Sequence, residues 1–592
     1  MQGCVAVLIE PADEANYHAS NVLNRLLTRA AKAVRDRVSM KRQLPSGAHV
    51  AAESLTEALI THGSAGRCHL FLLPGTQLWR GEKFARLTRV SGRPLDLRVR
   101  PYHELVSALA NGEISLWFDP HGALWLPLEA RQGFSHSVFP IVSTFHHLNF
   151  PGMLYPWVLR GLLAGGYPCD SIVCPSLASQ KALVRVFEQV SGRMNQEFGG
   201  LTNFRQRVDV IPTCVDTARF RPCDKHRVRR DHGLPKDRPI ILYAGRLSIA
   251  DKGDLAPLVI AFRDLARADP RLDPLLLIAG PDRKGEQEAI RRMVSLLAIE
   301  DNVRLMGSVP REEMRLILAS ADVFVSPSDT VQENLPLTLL EAMACGVPQI
   351  APDWDGYRDA VKHGESGFLV PTYWTRCDRQ LSAAHSLLGW EFDYLTLSQS
   401  VAIDIGAMKK YLGMLIANEK LRLDMGRKSR QRAERLYSYT AIIGQYESLW
   451  QELLEAARSL SIYHRKARFN EPTYFDWFAH FASSLLDDQT RLIITPLGCE
   501  VSKQGRIPLP YESLKQLNIL NERVIGRLLG EFAEPTEMER GPGPLGRRQT
   551  TPISHELGEL VSHFAHRDGC QEEDVRRHLM WLLKYGLVEV AV

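Results

Sequence analysis

The amino-acid sequence predicts an α/β protein of two open parallel-sheet domains facing across a cleft, followed by a helical, winged-helix-like extension. Three observations carry that expectation. Short apolar runs alternate with helix-length amphipathic segments from about residue 68 to 460. The alternation breaks at a charged, proline-bearing seam over 221–236. Beyond His464-Arg465-Lys466 the texture changes and helical patterns take over.

Strands buried on both faces read as continuous apolar runs, and crossover helices separate them. In the first domain, 1–222, such runs stand at 69–73, 95–99, 114–118, 139–144, 171–175 and 208–212, with a helix over 102–110. In the second, 223–460, they stand at 239–244, 275–279, 303–306, 323–326 and 347–351, with helices over 256–267, 286–297 and 311–319. Residues 1–67 show one helical pattern, over 21–37, and 371–400 form an aromatic-rich insertion without a period. In the extension, 461–592, helices are expected over 478–486, 511–520, 523–532, 556–565 and 572–584, a loop over 535–551, and a strand at 587–592. Val575, Leu579, Leu582 and Leu583 share one face of the last helix and need a partner, most simply the helix before it. Gly586 stands where a left-handed cap is wanted.

Composition narrows the function. Lys+Arg number 72 against Asp+Glu 68 in 592 residues, a net charge of +4, too balanced for a nucleic-acid coat or a polybasic membrane binder. Hydrophobic residues at 45% and charged residues at 24% exclude disordered, collagen-like and coiled-coil chains. The start of the chain has no signal-peptide pattern. The longest apolar stretch, 150–167, is broken by Arg160, Pro and Gly and falls short of a spanning helix. The 10 cysteines are scattered; Cys169 and Cys174 come nearest to a cluster and read as buried thiols. A reducing cytoplasm, no nucleic-acid partner and no transmembrane segment are expected.

The most specific string is Gln332-Glu333-Asn334-Leu335-Pro336-Leu337-Thr338-Leu339-Leu340-Glu341, running on to Cys345-Gly346-Val347-Pro348. A strand ends in a polar loop; Pro336 suits the first turn of a short helix, and Gly346-Pro348 ends it. The helix N-terminus offers free N–H groups and a positive dipole end to an anion. Glu333 lies in the loop and Glu341 two turns into the helix. Upstream, the apolar run 240–244 leads into Gly245-Arg246-Leu247 and Asp251-Lys252-Gly253. Two cations at a strand's C-terminal end suit an anionic group.

The whole string resembles the E-x7-E signature of retaining glycosyltransferases of the GT-B fold, the group 1 or family 4 type with two Rossmann-like domains. That resemblance implies that Glu333 contacts donor-sugar hydroxyls, Glu341 binds the ribose, and the backbone around Asn334, Leu335, Pro336 and Leu337 holds the sugar and diphosphate. It also implies that Gly245, Arg246 and Lys252 hold the diphosphate. Val210-Ile211-Pro212-Thr213-Cys214-Val215-Asp216 is similar to the family's I-P-N-G-V-D, with Thr-Cys in place of Asn-Gly. Ser143-Thr144-Phe145-His146, followed by His147, is similar to its T-x-H, which makes His146 the residue that reaches the donor sugar. Ser176 reads as a helix cap.

Two departures stand out. The family's Gly-rich first loop has only Leu73-Pro74-Gly75-Thr76 as a counterpart, and Asp355-Gly356-Tyr357-Arg358-Asp359 replaces G-G-x-x-E. The resemblance implies a metal-independent, retaining hexosyltransferase with no cofactor beyond its nucleotide-diphosphate sugar donor. Its acceptor would be a glycan, lipid-linked or protein-bound hydroxyl, in surface-glycan or glycoconjugate synthesis. The alternative is a catalytically silent GT-B scaffold that assembles partners through 461–592.

Overall fold

The computed structural model describes residues 3–9, 47–72, 83–84, 86–89, 92, 94–122, 125–146, 151–199, 204–282, 284–377, 381, 390–460, 474–505, 520–533, 554–569 and 571–591. The helical pattern at 21–37, the loop 73–76, His147, the helix expected over 511–520 (save Leu520) and the loop 535–551 lie outside the described residues. The chain divides into two compact units, Met1–Asn470 and Glu471–Val592.

The first unit contains two sheets in which every strand pair is parallel. The first consists of β1 (Cys4–Ile9), β2 (Arg67–Leu72), β3 (Asp96–Pro101), β4 (Leu116–Asp119), β5 (Ile141–Thr144), β6 (Ser171–Cys174) and β7 (Arg207–Val210), in the order β3-β2-β1-β4-β5-β6-β7. The second consists of β8 (Ile240–Ala244), β9 (Leu275–Ala279), β10 (Val303–Gly307), β11 (Val323–Val325), β12 (Gln349–Pro352) and β13 (Gly367–Val370), in the order β10-β9-β8-β11-β12-β13. Each sheet starts in its middle, winds to one edge and returns to wind to the other. This doubly wound order opens a crevice at the C-terminal strand ends. The central strands β4, β5, β6, β8 and β9 are buried throughout, which is why they read as unbroken apolar runs.

The structure adds to the sequence reading in four places. Residues 1–67 hold more order than their pattern announces: β1 forms the centre of the first sheet, and Gly47–His62 is a helix. The seam is not a bare linker, because Lys225–Asp231 is a helix capped by Asp224, with Arg229 buried beneath it. The helix Tyr439–Arg458 returns to the first domain. Its Ile442, Tyr446, Trp450 and Leu453 pack with Val5, Leu55 and Phe118 of the first. Tyr446 Oη and Thr144 Oγ1 stand 2.8 Å apart there. An apolar helical face announces that a helix packs, but not against what. The insertion at 371–400 contains the antiparallel pair β14 (Thr372–Trp374) and β15 (Val401–Ile403) and the helix Trp390–Ser398. The two crossings between domains run side by side: Val215 N–H donates to the Tyr437 carbonyl at 2.8 Å, with Thr213 and Cys214 buried beside it.

The second unit has a three-stranded antiparallel sheet, β16 (Arg491–Ile494), β17 (Ser554–Glu556) and β18 (Val588–Val590), ordered β17-β16-β18. The helices Pro496–Gln504, Glu522–Ala533, Leu557–Asp568 and Glu572–Lys584 accompany it, a winged-helix-like arrangement. Val575, Leu579 and Leu582 are buried in this unit's own core with Ile525 and Phe564. Gly586 takes the left-handed conformation, φ 64°. The helix expected over 478–486 is corrected: Tyr474–Phe478 is helical, a tight turn Ala479–Phe481 follows, and the backbone is extended at Ala482. Ser483 and Ser484 come next, residues whose side chains compete for backbone groups and favour turns.

Candidate active site

The C-terminal edge of the second sheet gathers the residues singled out in the sequence. β8 runs out at Ala244, and the Gly245 N–H donates to the Ala279 carbonyl at 3.0 Å. Arg246 Nη1 lies 3.2 Å from Asp251 Oδ2, and the Arg246 carbonyl accepts from Tyr243 Oη at 2.9 Å. Lys252 Nζ forms an ion pair with Glu333 Oε2, joining two loops that are 81 residues apart in sequence. Gly253 has φ 141°, and a Cβ there would meet the Pro327 carbonyl oxygen at 2.9 Å. Only glycine permits this conformation and this approach. Asp254 N–H donates to Asp329 Oδ1 at 3.2 Å, and Thr330 Oγ1 to the Ala250 carbonyl at 3.3 Å. The Arg246–Lys252 loop and the Glu333 loop are thus laced together.

The Glu333 loop ends at Pro336, the N-cap of the helix Leu337–Ala344, and no side chain caps that helix. Its first N–H groups therefore remain available to an anion. Leu335 is buried. Glu341 is buried just over one turn in, with Arg311 Nη2 3.9 Å from its carboxylate. Burial pushes its carboxyl above the usual range, opposed by Arg311 and Arg219.

In each of the three pairs the cation is the more exposed partner. Side-chain exposure is 31% for Arg246 against 14% for Asp251, 16% for Lys252 against 12% for Glu333, and 39% for Arg311 against 9% for Glu341. An anion approaching from solvent meets positive charge first.

The first domain reaches this edge through Ser176. It caps the helix Leu177–Phe198, as expected, but its Oγ also lies 2.7 Å from Asn334 Oδ1 and 3.2 Å from Asp355 Oδ1. Leu177 N–H donates to Asp359 Oδ2 at 2.8 Å, and Gly356 N–H to the Asn334 carbonyl at 3.1 Å. The departure Asp355-Gly356 therefore forms part of the contact between the domains. Burial pushes the Asp355 carboxyl up to about 8 and that of Asp329 up to about 7.

His146 stands just past the end of β5, and its Nε2 lies 2.7 Å from the Pro120 carbonyl oxygen. Burial, with His49 adding, lowers its pKa to about 4, so the ring is neutral, with Nε2 as the donor to Pro120. The structure thus ties His146 to its own domain, whereas Arg246, Lys252, Glu333, Asn334 and Glu341 share one edge. Sequence reasoning quoted Asp251 and Asp355 without giving them a role, and missed Arg311 and Tyr394. Asp251 adjoins Lys252 in the motif itself; Tyr394 lay in the insertion without a readable period. Tyr394 is buried, and its hydroxyl bonds to Gln332, beside the donor loop. Among the described residues no group of His, Cys, Asp or Glu is arranged to hold a metal ion, and no helix is long and apolar enough to cross a membrane.

Two doubly wound domains, with an E-x7-E loop and helix on the second, form the GT-B fold. Residues 224–384 match the model of glycosyl transferases group 1. A D-inositol 3-phosphate glycosyltransferase of Nocardia farcinica is 34% identical over 169 residues, 28% of this chain and 37% of that protein. That of Frankia alni is 36% identical over 169 residues, 28% of this chain and 40% of that protein. The chain spans well under half the length of these curated relatives. Among solved structures, Anabaena HepE in complex with UDP and glucose aligns with a TM-score of 0.48 at 15% identity, over 76% of this chain and 100% of that one. Sucrose-phosphate synthase of Thermosynechococcus elongatus aligns with a TM-score of 0.48 at 19% identity, over 77% and 100%.

Proposed function

We propose that this chain is a metal-independent, retaining glycosyltransferase that moves a sugar from a nucleotide-diphosphate donor to an acceptor hydroxyl. The observation that carries the reading is the row of outward-facing cations beside an uncapped helix N-terminus at one strand edge. As the glycosidic bond breaks, negative charge collects on the departing diphosphate. Arg246 and Lys252 neutralise it with preplaced charge, which works best where water is excluded. Lys252 exchanges its Glu333 partner for phosphate, freeing the Glu333 carboxylate to orient the sugar hydroxyls. Glu341 accepts from the ribose, and the amides of Asn334 and Leu337 hold the sugar and phosphate. His146, kept neutral, serves the donor sugar as an orienting group. The leaving phosphate takes the acceptor's proton on the same face, which retains configuration. The setting is cytoplasmic glycoconjugate synthesis, with 461–592 as a docking module for a large acceptor.

Calorimetric titration with UDP, GDP and ADP, followed by a donor-hydrolysis assay with the matching sugar nucleotides, tests this. Affinity for one nucleotide together with its release from the donor is expected. Absence of any affinity sinks the proposal; tight binding with no turnover of any donor moves the protein to the silent scaffold.

A further inference from the structure

The loop after β12 and the insertion after β13 bring two indoles together beside the Glu333 loop. Trp354, in the loop after β12, donates its Nε1–H to the Thr330 carbonyl at 3.0 Å and is thereby fixed to the loop that carries Glu333. Trp374, on β14, stands edge-on to it, with ring centroids 5.4 Å apart and planes at 68°. Trp374 is 55% exposed and its neighbour Tyr373 58%. Tyr373 is anchored by its hydroxyl, 3.1 Å from Asp404 Oδ2. Asp353 and Arg358 border the corner as a half-exposed pair, 2.7 Å apart. The Trp374 indole is held in place by its contact with Trp354 and still presents aromatic surface to solvent. A flat aromatic face receives the axial C–H groups of a pyranose, whose equatorial hydroxyls need carboxylate acceptors and guanidinium donors at the edge.

Sheet order identifies the occupant. The nucleotide reading occupies the ends of β8 and β11, with Arg311, which partners Glu341, following β10. The aromatic corner hangs from β12 and β13, the opposite edge of the same sheet. A base stacked there would lie on the wrong side of Glu333. Asp355, next to Trp354, touches Ser176 of the first domain, so the corner borders the contact between the two domains.

We propose that Trp354 and Trp374 form a stacking platform for a pyranose ring of the acceptor, which makes that acceptor a glycan; this rests on the glycosyl-transfer reading above. The full chain is titrated with maltotriose, cellotriose, chitotriose and mannotriose, with and without UDP or GDP, by saturation-transfer NMR. At least one trisaccharide is expected to bind. W374A should weaken that binding tenfold or more and W374F less than threefold, with thermal midpoints within 2 °C of each other, roughly the shift of half a kcal/mol or less. Equal trisaccharide affinity in W374A, or no trisaccharide binding by the parent protein, overturns the platform. A parallel tenfold fall in UDP or GDP affinity in W374A assigns the corner to the donor base and overturns it equally. The nucleotide titrations of the parent protein separate the two readings: a parent that binds nucleotide while W374A changes nothing discards the platform alone.

Discussion

The two α/β halves of the first unit begin their central strands alike and end them differently. At the N-terminal edge of the first sheet, Asp170 immediately precedes β6. It accepts from Ile141 N–H at 2.9 Å, at the start of the neighbouring strand, and from Arg131 at 2.6 Å and 2.7 Å. At the same edge of the second sheet, Asp322 precedes β11, accepts from Ile240 N–H at 2.8 Å and pairs with Arg229 at 2.5 Å. Both pairs are closed to water: side-chain exposure is 2% and 2% in the first, 7% and 11% in the second. Each carboxylate satisfies a strand-end N–H that would otherwise be buried without a partner, and each guanidinium neutralises the carboxylate. At the C-terminal edges the halves diverge. The first presents Ser176 and His146; the second presents three ion pairs whose cations face outward. The closed pairs satisfy strand-end N–H groups at the N-terminal edges, whereas the pairs of the second sheet border the crevice at its C-terminal strand ends, where a ligand can open them.

Breaking a closed pair should have the largest effect. Asp170→Ala and Asp322→Ala each leave a buried guanidinium and a strand N–H uncompensated, at a cost of about 3–5 kcal/mol. Urea unfolding of the two variants should show comparable losses; a loss below about 1 kcal/mol in either would dissolve the equivalence. Opening the outward pairs should spare the fold and weaken the ligand. Arg246→Ala and Lys252→Ala each remove a charge-assisted contact worth about 1.5–3 kcal/mol, roughly ten- to a hundredfold in nucleoside-diphosphate affinity. Calorimetry that finds both unchanged removes the diphosphate from this edge.

A finer division separates the two glutamates. Glu341→Gln should weaken the free nucleoside diphosphate by about tenfold, whereas Glu333→Gln should leave it bound and slow transfer. Equal losses of diphosphate affinity in both would erase the distinction between ribose and sugar roles.

The contact between the halves should respond to pH. Asp355 keeps its proton in the fold up to about 8, whereas an unfolded aspartate releases it near its ordinary value of 3.8. Between those values the folded state binds more protons than the unfolded one, so its contribution to stability falls as pH rises through this window and levels off above it. Asp329, with its carboxyl pushed to about 7, adds in the same sense. Asp355→Asn should flatten the loss of stability between pH 5 and pH 8; an unchanged slope in urea midpoints would remove Asp355 from the account. The smallest expected effect is none: EDTA should leave transfer intact if Arg246 and Lys252 carry the charge, and a loss restored by magnesium or manganese would contradict that.

Much of this protein is written locally. Buried parallel strands need unbroken apolar runs, so those in 239–279 could be placed to within a residue or two of β8 and β9. The E-x7-E string and the Gly245–Lys252 element are legible because a strand end, a loop and a helix start are contiguous in sequence. β1 and the helix Gly47–His62 were not read from the unpatterned first 67 residues, although β1 lies at the centre of its sheet. Polar short strands such as β17 carry no apolar period either.

What the sequence determined by itself was the alternation of strands and helices, the break between two domains and the chemical types gathered around Glu333. Tertiary structure alone decided which distant residues meet. Lys252 reaches Glu333 across 81 positions and Ser176 reaches Asn334 across 158. Asp170 and Asp322 find their arginines, the helix Tyr439–Arg458 returns to the first domain, and Trp374 comes to stand against Trp354. The physical reason is that period encodes which face of an element is buried. The order in which strands add to a sheet decides what that face, and the loop beyond it, will touch.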